Sequence, residues 1–349
     1  MNESKKNIAI LKSLWGRKSD GRWGVRNSKG LTLKPQAGFD PDYFKFENKM
    51  ELLTQNPGSM NIHEIFSSFG PTNFLMKQSI LPVVAWVENE DSLRCIGTAF
   101  IISCTGYVMT ACHVLLDPRE RNYGKVIRKG NLLDFIGDLN MGVLIPISLA
   151  YGAQGYRFFP FEQSWYWGEW KSSPLIHEDE KFDYLTDIAV CKIAEMPNGA
   201  AHQPLNLSLN RFKEGEGACV IGYAEMDNIP VEIRDGKPVI NNFEHDLYVF
   251  IGNVTTVFPD NHLKKEVPTP GPCFDFQAKI PGGMSGGPIL GANGMVTRGV
   301  VSRSYTGEKQ ASGAMLGPMM HLPLLENETL KSMMDLGNEG IPVVQGQDL

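Results

Sequence analysis

Pro281-Gly282-Gly283-Met284-Ser285-Gly286-Gly287-Pro288 is the stretch around which this chain is organised. All of its residues except Met284 and Ser285 are Gly or Pro. Glycine accepts positive φ and lets another backbone approach closely, and such a run makes a poor helix and a poor strand. It makes a tight loop that presents one hydroxyl and several free backbone N–H groups. A hydroxyl beside N–H donors is what acyl transfer needs, because negative charge builds on a carbonyl oxygen as the nucleophile attacks it. A flexible glycine turn with an idle serine has the same local sequence, so the rest of the chain must decide.

Working outward from the loop, the neighbouring segments are short and strand-like. Upstream they cover residues 80–87, 96–102, 106–110, 187–193, 218–223 and 247–255. Downstream come Ile289-Leu290, a Gly291-Ala292-Asn293-Gly294 hairpin turn, residues 296–302 and a strand-like run over 313–320. Residues 326–336, with Leu330, Met333, Met334 and Leu336, have the spacing of a C-terminal helix. Many short strands with Gly-rich turns, and no βαβ alternation, predict an all-β barrel or sandwich. Residues 117–180 include Tyr156-Arg157-Phe158-Phe159-Pro160-Phe161 and Trp165-Tyr166-Trp167, expected as a long loop packed on the barrel. Few basic residues interleave with these rings, which argues against a base-stacking platform. The expected organisation is an irregular extension over 1–75, a first β-barrel over 76–200 with a long insertion near 117–180, and a second barrel with the C-terminal helix over 201–349.

The composition, 42% hydrophobic and 21% charged, is that of a globular chain of 349 residues. No apolar run approaches the roughly 20 residues of a membrane helix. The start lacks the apolar core and cleavage site of a secretory signal. Six scattered cysteines without a Cys-x-x-Cys pair argue against a disulfide scaffold or a zinc site. These features predict a cytoplasmic protein with no membrane partner, no metal and no cofactor. Net charge is −6, which argues against nucleic acid as a partner, although residues 1–36 alone carry +7. That basic start is expected to be a solvated tail, or else the contact for a regulatory partner.

A serine hydroxyl is a weak nucleophile until a base takes its proton and a third group holds that base. Of the seven histidines, His113 has the telling context, closing the strand Val108-Met109-Thr110-Ala111-Cys112-His113. Asp187 opens the apolar strand Asp187-Ile188-Ala189-Val190, so its carboxylate is partly desolvated, as an orienting acid should be.

Together these residues resemble the trypsin/chymotrypsin-like serine peptidases of the PA clan. Thr110-Ala111-Cys112-His113, Asp187-Ile188-Ala189-Val190 and Gly283-Met284-Ser285-Gly286-Gly287-Pro288 look like that superfamily's three motifs, in its His, Asp, Ser order. The resemblance covers about residues 79–337. It implies two six-stranded antiparallel β-barrels and a serine endopeptidase acting on protein or peptide substrates through an acyl-enzyme. Carried over, Ser285 is the nucleophile, His113 the general base and acid, and Asp187 the orienting carboxylate. The N–H groups of Gly283 and Ser285 form the oxyanion hole. Gly299-Val300-Val301-Ser302 resembles the edge strand that pairs with an extended substrate, its serine supporting the aspartate. Val301, Ser302, Arg303, Ser304 and Lys279 are thereby implied in substrate binding. Lys279 aligns with the pocket floor and would favour an acidic side chain. A shift of one residue puts Ile280 or Ala278 there and gives an aliphatic preference. Ser304 and Ala314 would be pocket walls.

The chain also departs from the digestive enzymes. They carry an Asp before the nucleophile, for a newly cut amine, where this chain has Met284. Val114 stands where they have a cysteine. Intracellular and bacterial members, the high-temperature-requirement family among them, share both departures; that family usually adds a PDZ domain after the protease, and none is expected here in the residues that follow the predicted C-terminal helix. Two rivals remain. Gly283-x-Ser285-x-Gly287 fits the α/β-hydrolase elbow of an esterase, with His321 downstream, but that elbow needs a helix which Gly286-Gly287-Pro288 opposes. The other is a silent protease-like scaffold. A protease held inactive by its N-terminal extension is a further expectation.

Overall fold

The computed structural model describes residues 79–88, 90–103, 105–116, 124–129, 132–137, 139–148, 154–171, 181–193, 204–205, 207–224, 226, 228–234, 236–240, 247–258, 269–291, 296–305, 310–325, 328–335 and 344–345, and two short paired stretches at 16–17 and 23–24. The rest of the basic extension, residues 194–203 of the expected linker, the hairpin turn 292–295 and Cys104 lie outside the described residues.

The first barrel is built from β1 (Ile80–Val87), β2 (Ser92–Ile101), β3 (Tyr107–Thr110), β4 (Leu139–Ser148), β5 (Gln154–Lys171) and β6 (Lys181–Ile193). Its hydrogen-bonded order is β6-β3-β2-β1-β4-β5, and β5 pairs back with β6 to close it. The second barrel is built from β7 (Gly217–Tyr223), β8 (Leu247–Phe258), β9 (Cys273–Phe276), β10 (Pro288–Gly291), β11 (Thr297–Ser304) and β12 (Ala311–Met315). Here the order is β10-β7-β8-β9-β12-β11, closed by β10 on β11. The chain is therefore all-β, two six-stranded antiparallel barrels of the chymotrypsin-like kind. Closure removes the sheet edges that an open sheet would expose. The described helices are short: α1 (Cys112–Leu115), α2 (Gly317–Met320) and α3 (Leu330–Asp335). No helix among the described residues is long and apolar enough to cross a membrane.

Strand β1 shows how the pleat is used. Successive side chains alternate faces. Leu81 and Val83 join the main core, whereas Val84 and Trp86 join a second cluster with Phe158, Ile229 and Ile240; Ile80, at the strand's start, departs from the alternation and joins the main core. Both faces are covered, so a continuous apolar run results. The main core is not confined to one barrel. Ile221, Tyr223, Val249, Leu290 and Val300 of the second barrel share it with Val108, Val190 and Trp165 of the first.

Three expectations change. The aromatic stretch is not a loop but most of β5, an 18-residue strand, and β4 precedes it. Trp165 is fully buried against Tyr107, with ring centroids 6.3 Å apart. Pro146 in β4 and Pro160 in β5 break the strand signal in the sequence, yet both are paired within the ladder, with Tyr156 and Gly142. The strand-like run over 313–320 divides into β12 and the helical turn α2, which Pro318 opens at its first turn. The C-terminal helix begins at Leu330 instead of 326, where Thr329 Oγ1 accepts the Ser332 N–H at 3.2 Å and caps it. Strand β9 has no sequence counterpart among the expected strands. No disulfide joins the five described cysteines.

Candidate active site

Ser285 lies in the loop between β9 and β10, against the junction of the two barrels. Gly283 and Gly286 have φ of +93° and +89°, a region that side-chain-bearing residues rarely occupy. At Gly286 the requirement is steric as well: a Cβ there would lie 2.1 Å from the Thr98 carbonyl oxygen and 2.2 Å from Thr110 Oγ1. The loop is bonded on both sides. Gly286 N–H donates to Val301 O at 2.8 Å, Val301 N–H to Gly287 O at 2.9 Å, and Thr98 N–H to Ser285 O at 2.8 Å. Met284 is fully buried in the second barrel's core with Ala278 and Ile280. Among the described residues, neither the Gly283 nor the Ser285 N–H is given to an acceptor.

His113 is in α1, the turn after β3, and not in the strand itself. Asp187 is near the middle of β6, where the pairing with β5 is irregular between Tyr184 and Ala189. The irregularity lets a carboxylate turn from the ladder toward the second barrel. His113 Nδ1 is 2.8 Å from Asp187 Oδ2, and the His113 backbone N–H donates to Oδ1 at 2.9 Å. Ser302, on β11, donates its hydroxyl to Asp187 Oδ2. Thr269 in turn donates to Ser302 Oγ at 3.2 Å and is 2.6 Å from Ser312 Oγ. Because Thr269 spends its proton on Ser302, Ser312 is the donor in the last pair. Thr269, Ser302 and Ser312 are fully buried, so hydroxyl dipoles are lined up toward one desolvated carboxylate. Burial raises the Asp187 pKa, but the His113 ring, its hydrogen bonds and the Ser302 hydroxyl outweigh burial and hold the carboxyl below its ordinary value.

Ser285 Oγ does not reach for the histidine here. It donates to the Ser302 carbonyl at 3.2 Å. Both side chains nonetheless face one cavity of about 510 Å³. Lys279, Val301, Ser302, Arg303 and Ser304, the five expected substrate-binding residues, all line it, as do Ile280 and Tyr305. Ala278 and Ala314 are buried and do not. Lys279 is exposed at the cavity, and Arg303 is held by a 2.8 Å bond to the Tyr184 hydroxyl. No carboxylate is among the lining residues. Among the described residues, no three His, Cys, Asp or Glu side chains converge as a metal would require.

The site also contains partners that sequence reading missed. Thr98, Thr269 and Ser312 are buried hydroxyl residues on strands or loops. Nothing in their local sequence separates them from other core threonines and serines.

Residues 97–298 match the family described as "Trypsin-like peptidase domain". No curated protein matches the chain in sequence. Among solved structures, an inactive serine-to-alanine form of Rv3671c from M. tuberculosis is similar at 16% identity and TM-score 0.36, covering 82% of this chain and 92% of that one. Deg5 is similar at 16% identity and TM-score 0.41, covering 78% of this chain and 91% of that one.

Proposed function

The chain belongs to the trypsin-like peptidase family, and within it we propose a serine endopeptidase in which Ser285 is the nucleophile, His113 the general base and acid, and Asp187 the orienting carboxylate. The observation that carries this reading is the doubly bonded Asp187–His113 pair on the same cavity wall as Ser285. A carboxylate on Nδ1 fixes the tautomer that leaves Nε2 free to take a proton. Ser285 Oγ attacks the scissile carbonyl carbon while its proton passes to His113 Nε2. The oxyanion is received by the N–H groups of Gly283 and Ser285. The C–N bond then breaks as the imidazolium returns the proton to the leaving amine. Water, deprotonated by the same histidine, hydrolyses the acyl-enzyme. In the resting site the Ser285 hydroxyl rests on the Ser302 carbonyl, an acceptor that an extended substrate's N–H can take over. The hydroxyl is then released to turn to His113.

Lys279 and Arg303, with no carboxylate on the cavity wall, support a preference for acidic side chains beside the scissile bond. A fluorophosphonate probe tests the chemistry. The wild type is expected to form an adduct at Ser285 and to cleave a peptide library, with Ser285→Ala losing both, the rate by roughly 10⁵–10⁶-fold. Wild type without adduct would leave the silent-scaffold reading. In the same library, cleavage sites rich in Asp or Glu are expected, and Lys279→Glu should reduce turnover at them at least tenfold. An aliphatic profile that the substitution does not alter sinks the acidic preference.

A further inference from the structure

We propose that Thr98 is a positioning residue that steadies the oxyanion donor on the Ser285 backbone from the opposite barrel, a role that rests on the reading of Ser285 just given. Thr98 is in β2 of the first barrel and is fully buried. Every polar group it has is engaged across the junction or along it. Its N–H donates to Ser285 O at 2.8 Å, and its hydroxyl donates to Gly283 O at 3.0 Å. The same hydroxyl accepts the Tyr223 N–H at 2.9 Å, and its carbonyl accepts the Thr110 hydroxyl at 2.7 Å. The direction of the Gly283 bond follows from these partners. A backbone N–H can only donate, so Tyr223 occupies a lone pair and leaves the hydroxyl proton for Gly283 O.

The two carbonyls that Thr98 holds bracket a donor peptide: Gly283 O lies in the Gly283–Met284 peptide and Ser285 O in the Ser285–Gly286 peptide, and the Met284–Ser285 peptide with its Ser285 N–H lies between them. Fixing a residue's carbonyl fixes its ψ and the plane of the next peptide. Gly283 has no side chain to resist rotation, follows another glycine, and occupies positive φ, where a glycine peptide turns over at little cost. The restraint must come from outside the loop, and Thr98 Oγ1 supplies it. Its β-branch keeps χ1 stiff, so the hydroxyl is delivered at one angle. The second barrel leaves room for that hydroxyl: a Cβ on Gly222 would come within 3.0 Å of Thr98 Oγ1.

The test compares Thr98→Val, which keeps the shape and removes the hydroxyl, with Thr98→Ser, which keeps the hydroxyl. Each is assayed with a peptide taken from the library profile and with a peptide boronate that mimics the tetrahedral adduct. Removing an oxyanion donor outright costs roughly 10²–10³ in kcat, so a donor left in place but unrestrained should cost about 10–100-fold. Thr98→Val is expected to lose that factor in kcat with KM within about twofold, and boronate affinity should fall by the same factor. Thr98→Ser should recover most of both. Wild-type kcat and boronate affinity in Thr98→Val overturn the role. So does a Thr98→Ser variant as impaired as Thr98→Val, since the methyl group would then be what matters. Should Thr98→Val not fold by circular dichroism, Thr98→Ala takes its place. If neither folds, the hydroxyl holds the barrel and not the donor, and the role is rejected. Fluorophosphonate labelling of the wild type keeps the two readings apart. An unlabelled wild type ends the Ser285 reading itself, whereas a labelled wild type with an unaffected Thr98→Val ends only this one.

Discussion

Gly286 and Gly282 are four residues apart in one loop, and their demands are opposite. Gly286 combines φ of +89° with backbone 2.1 Å from where a Cβ would stand, whereas a Cβ on Gly282 would meet nothing within 4 Å. Gly286→Ala must therefore bear strain of roughly 1–3 kcal/mol for the conformation and a clash with Thr98 O that only backbone movement relieves. Its melting temperature is expected to fall by several degrees, with Ser285 labelling lost. Gly282→Ala should stay within about 0.5 kcal/mol of the wild type. Equal thermal stability of the two variants would show that the loop relaxes away from the junction. Met284 follows the same logic. It lacks the charge to pair with a cut amine, and it is a core side chain of the second barrel.

Strand β9 carries a group of its own. Asp275 is buried, and its carboxylate accepts from the Tyr305 hydroxyl at 3.3 Å and from Gln310 Nε2 at 3.0 Å. The Tyr305 N–H also donates to Gln310 O at 3.0 Å, so the residues on both sides of 306–309 are tied to β9 and to each other. Burial pushes the Asp275 carboxyl above its ordinary value, against the pull of those two donors. With a folded pKa above the unfolded one, its favourable contribution is complete below about pH 4 and is lost as pH rises through the raised value. Asp187 has the opposite sign. Its contribution is present above about pH 4 and is lost only as pH falls through its lowered value. The window above about pH 4 thus isolates Asp275 from Asp187. Between pH 4 and 7, the melting temperature of Asp275→Asn relative to wild type is expected to rise with pH. A flat difference would mean that Asp275 is not held above its ordinary range. At this scale the sequence is legible only in part. Short apolar runs, such as Val83–Val87 in β1 and Ile188–Cys191 in β6, stand out. Strands β4 and β5 do so less, because Asn140 and Gly142 in one and Glu162, Gln163 and Ser164 in the other interrupt a pattern that pairing on both sides restores.

The two barrels do not behave as beads on a string. They share one apolar core, Tyr223 Oη donates to Ile80 O at 2.9 Å, and Trp167 Nε1 donates to Pro318 O at 2.7 Å. His113 and Asp187 come from one barrel, and Ser285 and Ser302 from the other, so the site exists only while the junction does. Chains with several domains commonly unfold in steps. Here calorimetry is expected to give one transition for the two barrels, with Ser285 labelling lost across the same temperatures. Two resolved transitions, or labelling that disappears well before the heat absorption, would show that the barrels come apart first.

The amino-acid sequence alone determined the strand-rich character of the chain, the tight glycine loop around Ser285, and the presence of a histidine and an aspartate in apolar settings. Those are local properties: they follow from side-chain chemistry, glycine's freedom and the spacing of near neighbours. Tertiary structure alone decided which hydroxyl meets which carbonyl. Thr98 reaches Gly283 across 185 residues and Tyr223 across 125, and Ser302 reaches Asp187 across 115. A threonine carries no mark of such a partner, because a hydrogen bond depends on position and angle in space, and those are set by barrel closure and register.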